Sequence, residues 1–486
     1  MSIIRVLPLA CLLLVSAPMS ATASAVRSDW RQLTVGHFHL YSTMSDSKTR
    51  EVARQLQAFE NTVGEFLRSE ERLPDVPTII YILDGADFLR YGTGRKGPVG
   101  VFYERPFGNV IVINGDISFE IVKVAIFHEY THFIQRSTST KKMPPWFVEG
   151  YAEVFSSFKL NRDRVIIGDL RAGGRGNSFD WIPMERLLAV KQSDPEYRAE
   201  RLAPQFYCES WALVHMVLFD DKSLGRPTAN YLDNMDLGVA EPDAFAQAFP
   251  FNKRDLDQAV YQLLRGRAIH MVTVTYLKGV AIDDAPISPM TAARADAEMA
   301  RMALMIGWGK ELIAPLAASA LKENPTDPGV RALSARIAAR DGERQNIDDL
   351  ASALEQGGTD AAQLRIDVAA TLLTQSQSKP AGDGAIAILD GLVHTDTAPL
   401  EAIALWAAAA QLTVVDQANM LPVLESGSAR APHNTRLLLN LAAAHEKLGH
   451  AAKAREYYDR IILVSDNPQE RLWAQKQSDS ERLHQD

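Results

Sequence analysis

Residues 128–132 read HEYTH, and seventeen positions after the second His stands Glu149, inside WFVEGYAE at 146–153. In a helix His128 and His132 are at i and i+4, so both imidazoles project from one face about a turn apart. Glu129 stands between them, too close in sequence to ligate with the same geometry but well placed to hold a metal-bound water. Zinc in a hydrolytic site takes three protein ligands and leaves one position open. Two His from one helix and a carboxylate from the next meet that demand, which predicts His128, His132 and Glu149 as ligands of Zn2+ and Glu129 as general base.

The flanking residues support a buried helix pair. IVKVAIFHEYTHFIQ has helical length without Gly or Pro, and Phe127, Tyr130, Thr131, Phe133 and Ile134 carry no charge. PPWFVEGYAEVFSSF reads as a second helix entered through Pro144 and Pro145, with Glu149 and Glu153 again at i and i+4 among Phe147, Tyr151, Val154, Phe155 and Phe158. Carboxylates beside an aromatic surface are costly unless they face a cation. The plainer reading is an amphipathic helix with two exposed Glu.

HEYTH followed by WFVEGYAE resembles the gluzincin metallopeptidases, most closely the peptidase MA-like family, over residues 30 to 270. The resemblance implies an α+β gluzincin-like domain, a mixed sheet feeding the HExxH helix and then a helical second half. It implies Glu149 as third ligand and Glu153 as the carboxylate that orients a ligand imidazole, His128. It also implies a Tyr on the following helix as the donor to the oxyanion, which falls on Tyr207 in PQFYCESWALVHMV, with His215 on the same helix as the reserve. Both residues also read as packing positions beside Phe206, Trp211, Val214 and Leu218. Val148 stands where related branches often carry Asn. Nothing matches the Gly-x-Met-Glu-Asn segment of the aminopeptidase branch, so aminopeptidase specificity is not implied.

The chain opens MSIIRVLPLACLLLVSAPMSATASA: Arg5, an apolar run to Val15 and small residues at Ala21, Ala23 and Ala25 predict a secretory signal peptide over 1–25, cleaved before Val26. Its apolar run is too short to span a bilayer, though retention as an anchor is an alternative. Cys11 makes a poor lipidation site because Pro8 stands where an aliphatic residue is needed. Cleavage leaves Cys208 as the single thiol, expected to be buried and inert. Loss of Arg5 takes the formal net charge from −9 to −10, which disfavours nucleic acid and anionic lipid as partners. The expected address is the bacterial periplasm or outside the cell.

A metallopeptidase domain is expected over 26–275. HFHLYS and VPTIIYILD read as strands, 46–70 as a helix, and VGVFYE and NVIVING as a hairpin turning at Arg105–Gly108. That hairpin is a surface on which an extended substrate could pair. Gly92–Gly97 fits GxGxxG but precedes a strand, so it reads as a flexible loop and not a dinucleotide site. His37 and His39 lack a third partner and read as surface residues. A Pro-punctuated linker is expected over 276–295, and Ala- and Leu-rich helical repeats over 296–475. Breaks at Pro325, Gly358, Pro399, Pro432 and Pro468 recur at roughly 35 residues, the period of helix-turn-helix arrays. In RLLLNLAAAHEKLGHAAKAREYYDRII, residues Leu438, Leu441, Ala442, Gly449, Ala454 and Tyr458 resemble the tetratricopeptide pattern; Ala335, Gly342 and Leu354 occupy such places in an earlier unit. A concave repeat surface suits a peptide or a partner protein, with an unrelated helical bundle as the plainer reading. Residues 476–486 read as a polar tail. The functional expectation is an exported zinc metallopeptidase acting on peptide or protein substrates. The rival is a non-catalytic scaffold in which the repeats bind and the metal site is structural or vestigial.

Overall fold

The computed structural model describes residues 29–483, apart from 67–75, 95, 97, 106, 139–140, 163, 170–180, 200, 267–270, 276–281, 283, 347–349, 351–353, 356–360, 414–416 and 466. The leader expected over 1–25, Cys11 within it, and the break at Gly358 lie outside the described residues. The chain is α+β: a mixed sheet with helices on both faces, continuing into a helical C-terminal half.

The first half runs β1 (Arg31–Val35), β2 (Phe38–Ser42), α1 (Asp46–Phe66), β3 (Thr78–Leu83), the single turn α2 (Gly85–Asp87), β4 (Gly100–Arg105), β5 (Gly108–Asn114), α3 (Phe119–Thr138) and α4 (Pro145–Ser156). A small sheet follows, β6 (Lys159–Asn161), β7 (Arg164–Ile167) and β8 (Val272–Thr275). Between β7 and β8 lie α5 (Met184–Ala189), α6 (Pro195–Arg198), α7 (Ala203–His215), α8 (Gly225–Asp236), α9 (Glu241–Ala248) and α10 (Lys253–Arg265). The large sheet has the order β4-β5-β3-β2-β1-β9, with β9 at Ile287–Pro289. The β2–β3 and β3–β5 pairings are parallel and the others antiparallel.

β3 and β5 are apolar at nearly every position because both of their faces are covered. Ile80, Ile82, Ile111 and Ile113 pack on α1 and α3, where Phe59 stacks on Phe127 at 4.1 Å between ring centroids. Tyr81, Leu83, Val110 and Val112 point the other way, onto Ala297, Met299, Ala300, Ile313 and Leu333. Those last residues belong to helices Ala292–Ile306, Lys310–Glu323 and Pro328–Arg340. The opening of the helical half is therefore the second cover of the sheet.

This corrects the linker expected over 276–295. Its Pro residues do not make it a free connector, because Ile287–Pro289 pairs with Leu33–Arg31 of β1 at the sheet edge and Ala292 already starts a helix. Arg50 of α1 adds hydrogen bonds to the carbonyls of Ile282 and Ala285, at 2.6 and 2.7 Å.

Beyond Arg340 the described helices are Ala361–Gln375, Lys379–Val393, Leu400–Gln411, Gln417–Arg430, Thr435–Lys447, Ala451–Val464 and Pro468–Leu483, consecutive ones packing on each other. Asp367, fully buried, accepts from both guanidinium nitrogens of Arg301 at 3.1 and 2.9 Å and from Arg336 at 2.9 Å, while Arg336 also reaches Glu401 at 2.5 Å. Four helices are thus joined by one ion network whose buried charges are compensated. The polar tail expected from 476 is instead part of Pro468–Leu483. Its polar residues face water, but Ala474 and Ser478 are buried and Ser478 donates to Asp459 at 2.6 Å.

Candidate metal centre

α3 carries His128 and His132 one turn apart, and α4, entered through Pro144 and Pro145 as its composition predicts, brings Glu149 against them. The helices α4 and α7 cross closely at Gly150, where an added Cβ would stand 2.2 Å from the Ser210 carbonyl oxygen. A side chain there would push α4 away from α7 and carry the adjacent Glu149 with it. The glycine of WFVEGYAE thus serves helix approach rather than a turn.

The two Nε2 atoms of His128 and His132 lie 3.1 Å apart, and each stands 3.3 Å from Glu149 Oε2. Three ligands about 2.05 Å from a tetrahedral ion are separated by about 3.3 Å from one another. The three donor atoms therefore already have the spacing of a tetrahedral face. Glu149 Oε2 is buried and takes no well-formed hydrogen bond among the described residues, as an atom kept for a cation would be. Burial alone would raise the Glu149 carboxyl, but the facing His132 and His128 imidazoles hold it well below the usual carboxylate range. Burial would lower His128, and Glu149 and Glu153 overcome that and raise it well above its ordinary value. A cation between these groups would compensate the buried carboxylate directly.

The surrounding groups fix the donors. Glu153 Oε1 is 3.2 Å from His128 Nδ1, on the far side of the ring from Nε2. The Tyr197 hydroxyl donates to Glu149 Oε1 at 2.5 Å, leaving Oε2 for the imidazoles. Tyr207, on the second turn of α7, has its ring 6.2 Å from both the His128 and the Tyr197 rings. Burial, then the nearby Glu149, Glu153 and Glu129 carboxylates, raise its phenol, so it remains a hydrogen-bond donor. Glu129 is half-buried, and its charge is felt by His128, Tyr197 and Tyr207.

All five residues of the expected site, His128, Glu129, His132, Glu149 and Glu153, are brought together, with Tyr207 at their edge. His215 is not among them: two turns further along α7, roughly 12 Å, it is fully buried, 2.7 Å from Asp220 and beneath Gly168. That corrects its place as reserve donor. Cys208 is buried, and burial pushes its thiol up to about 12, which suits the inert reading.

His37 departs from the surface reading and His39 keeps it. His37 precedes β2 and faces the buried Glu60 at 3.2 Å, so it is turned inward, whereas His39 stands 3.3 Å from Thr34 in an exposed contact, as a surface residue does. Gly92 and Gly94 are packed under Phe88 and Trp308 rather than in a free loop.

Sequence reasoning missed Tyr197, which lies in a single helical turn with no motif around it, and a second cluster beside His132. On edge strand β4, Glu104 pairs with Arg136 of α3 and lies 3.5 Å from His433, which belongs to the helical half. His433 also meets Ser137 at 3.1 Å and the Phe133 ring at 5.2 Å. Only a long-range contact creates that cluster, so no local spacing announces it.

No helix among the described residues is long and apolar enough to cross a membrane. No protein-family model, curated protein or solved structure matches the chain.

Proposed function

We propose that this chain is a zinc-dependent peptidase of gluzincin type, with tetratricopeptide-like repeats that engage its substrate. The observation that carries the proposal is the spacing of the His128, His132 and Glu149 donor atoms, 3.1 to 3.3 Å, beside an uncommitted Glu129. Zinc bound there would act as a Lewis acid that makes a water nucleophilic near neutral pH. Glu129 would serve as the carboxylate that takes a proton from water and later gives it to the leaving amine. Glu153 accepts from His128 Nδ1 and so keeps the Nε2 lone pair directed at the centre. Tyr197 holds Glu149 by its other oxygen, and Tyr207 donates to the developing oxyanion.

A structural zinc is closed by four protein ligands, whereas the group among the described residues has three. That observation weighs against a scaffold with a structural metal.

The test is zinc content, measured alongside cleavage of an unbiased peptide library, for the full chain and for Glu129→Gln. The expected result is about one zinc per chain in both proteins, with hydrolysis lost by on the order of a thousandfold or more in the variant. Undiminished turnover in Glu129→Gln, or a zinc-loaded wild type that cleaves nothing, overturns the assignment.

A further inference from the structure

The helical half encloses a groove of about 540 Å³, and its lining is drawn from Ala292–Ile306, Pro328–Arg340, Ala361–Gln375, Leu400–Gln411 and Thr435–Lys447. The groove thus runs across five helices of the array. One further wall comes from the first half of the chain: Phe107, in the β4–β5 turn, lines the same space. Phe107, Leu304, Leu405 and Leu439 present half-buried apolar surface to it.

The charged lining is three arginines, Arg336, Arg340 and Arg436, against Glu401. Arg336 is held by Asp367 and Glu401, and Arg340 makes marginal contacts of 3.3 Å with Asp341 and the Trp308 carbonyl. The Arg436 guanidinium has no ion pair or hydrogen bond among the described residues. On a chain of net charge −9, an apolar groove with a surplus of positive charge is complementary to a carboxylate.

The groove adjoins the end of β4, because Phe107, just past that strand, lines it. β4 is an edge strand of the sheet, and its Glu104 lies within electrostatic range of His132. Phe107 lies in the hairpin turn directly after Arg105, the last residue of β4, which pairs with Gly108. Arg105 itself donates to the Ile306 carbonyl at 2.8 Å, tying the end of β4 to the groove's first helix. An extended chain paired along β4 thus needs only a few residues to pass from the metal centre into the groove.

We propose that this groove is a substrate-binding site separate from the reacting atoms, taking an extended segment with apolar side chains and a carboxylate for Arg436 and Arg340. It rests on the peptidase reading for the identity of the occupant as substrate. The carboxylate comes from an Asp or Glu side chain or from a free C-terminus, and the test distinguishes them.

Binding is read by fluorescence anisotropy on the full chain carrying Glu129→Gln, so that nothing is hydrolysed. The probes are a labelled twelve-residue peptide of alternating Leu and Glu with an amidated end, its Leu and Gln counterpart, and that counterpart with a free C-terminus. A carboxylate-bearing peptide is expected to bind at least tenfold tighter than the amidated neutral one, and whichever probe gains identifies the source. Arg436→Glu is expected to abolish the gain, and Phe107→Ala to weaken both peptides severalfold, with melting temperatures unchanged. Equal binding of charged and neutral peptides, or a gain untouched by Arg436→Glu, overturns the proposal. Loss of groove binding in a protein that still cleaves short peptides leaves the peptidase reading intact. Groove binding by a zinc-loaded wild type that never cleaves defeats the peptidase reading alone.

Discussion

Glu209 of α7 is a fully buried carboxyl with no cation beside it among the described residues. Burial pushes it up to about 8, against the pull of its hydrogen bonds from Gln205 and the Ile182 N–H. An acid whose folded pKa is raised keeps its proton longer in the fold than in the unfolded chain. Between about pH 4.5 and 8 the folded state therefore binds more protons, and stability falls as pH rises through that window. Gln can accept the same two hydrogen bonds without ionising. Glu209→Gln should match the wild type near pH 4.5 and exceed it by on the order of a few kcal/mol at pH 8, measured by urea unfolding at both pH values; equal stabilities at pH 8 refute the argument. At this scale the candidate metal-binding group was legible, because the four-residue spacing of His128 and His132 fixes their geometry once the helix forms. Tyr197 was not, because it reaches Glu149 only through the fold of the 157–196 connection.

The crossing of α4 and α7 is where an element, rather than a residue, builds the centre. Helix identity and limits were readable from apolar spacing and from Pro144 and Pro145, and the structure gives α4 as Pro145–Ser156. The closeness of the crossing was not readable, since a glycine inside a helix states only that something approaches. Gly150→Ala should cost about 1–3 kcal/mol by overpacking and weaken zinc binding at least tenfold, because the displaced α4 carries Glu149. Gly225→Ala is the control: it lies at the start of α8 with nothing within 4 Å of an added Cβ. That variant should leave both unfolding and zinc affinity unchanged. Tight zinc binding in Gly150→Ala would show that α4 can shift without moving its carboxylate.

For the whole molecule, the boundary that composition suggests is not where the fold divides. Apolar runs such as TIIYIL announced buried strands, yet nothing in them says what covers the second face, because the cover comes from helices two hundred residues away. Tyr81, Leu83, Phe88, Tyr91, Val110 and Val112 all lie under the helices that begin at Ala292. A chain ending at Pro286 would lose β9 and uncover these six side chains. At about 1.5–3 kcal/mol for each, the loss is on the order of 10 kcal/mol, comparable with the net stability of an entire domain. Such a chain should bind a hydrophobic dye and lack a cooperative melt. A chain ending at Asp341 keeps the three covering helices and frees Arg301 and Arg336 into water once Asp367 is gone, so it should melt cooperatively and retain zinc. Circular dichroism melts and zinc content of the two truncations decide the matter: a stable, zinc-binding chain ending at Pro286 would mean that the helical half is an appendage and not the sheet's second layer.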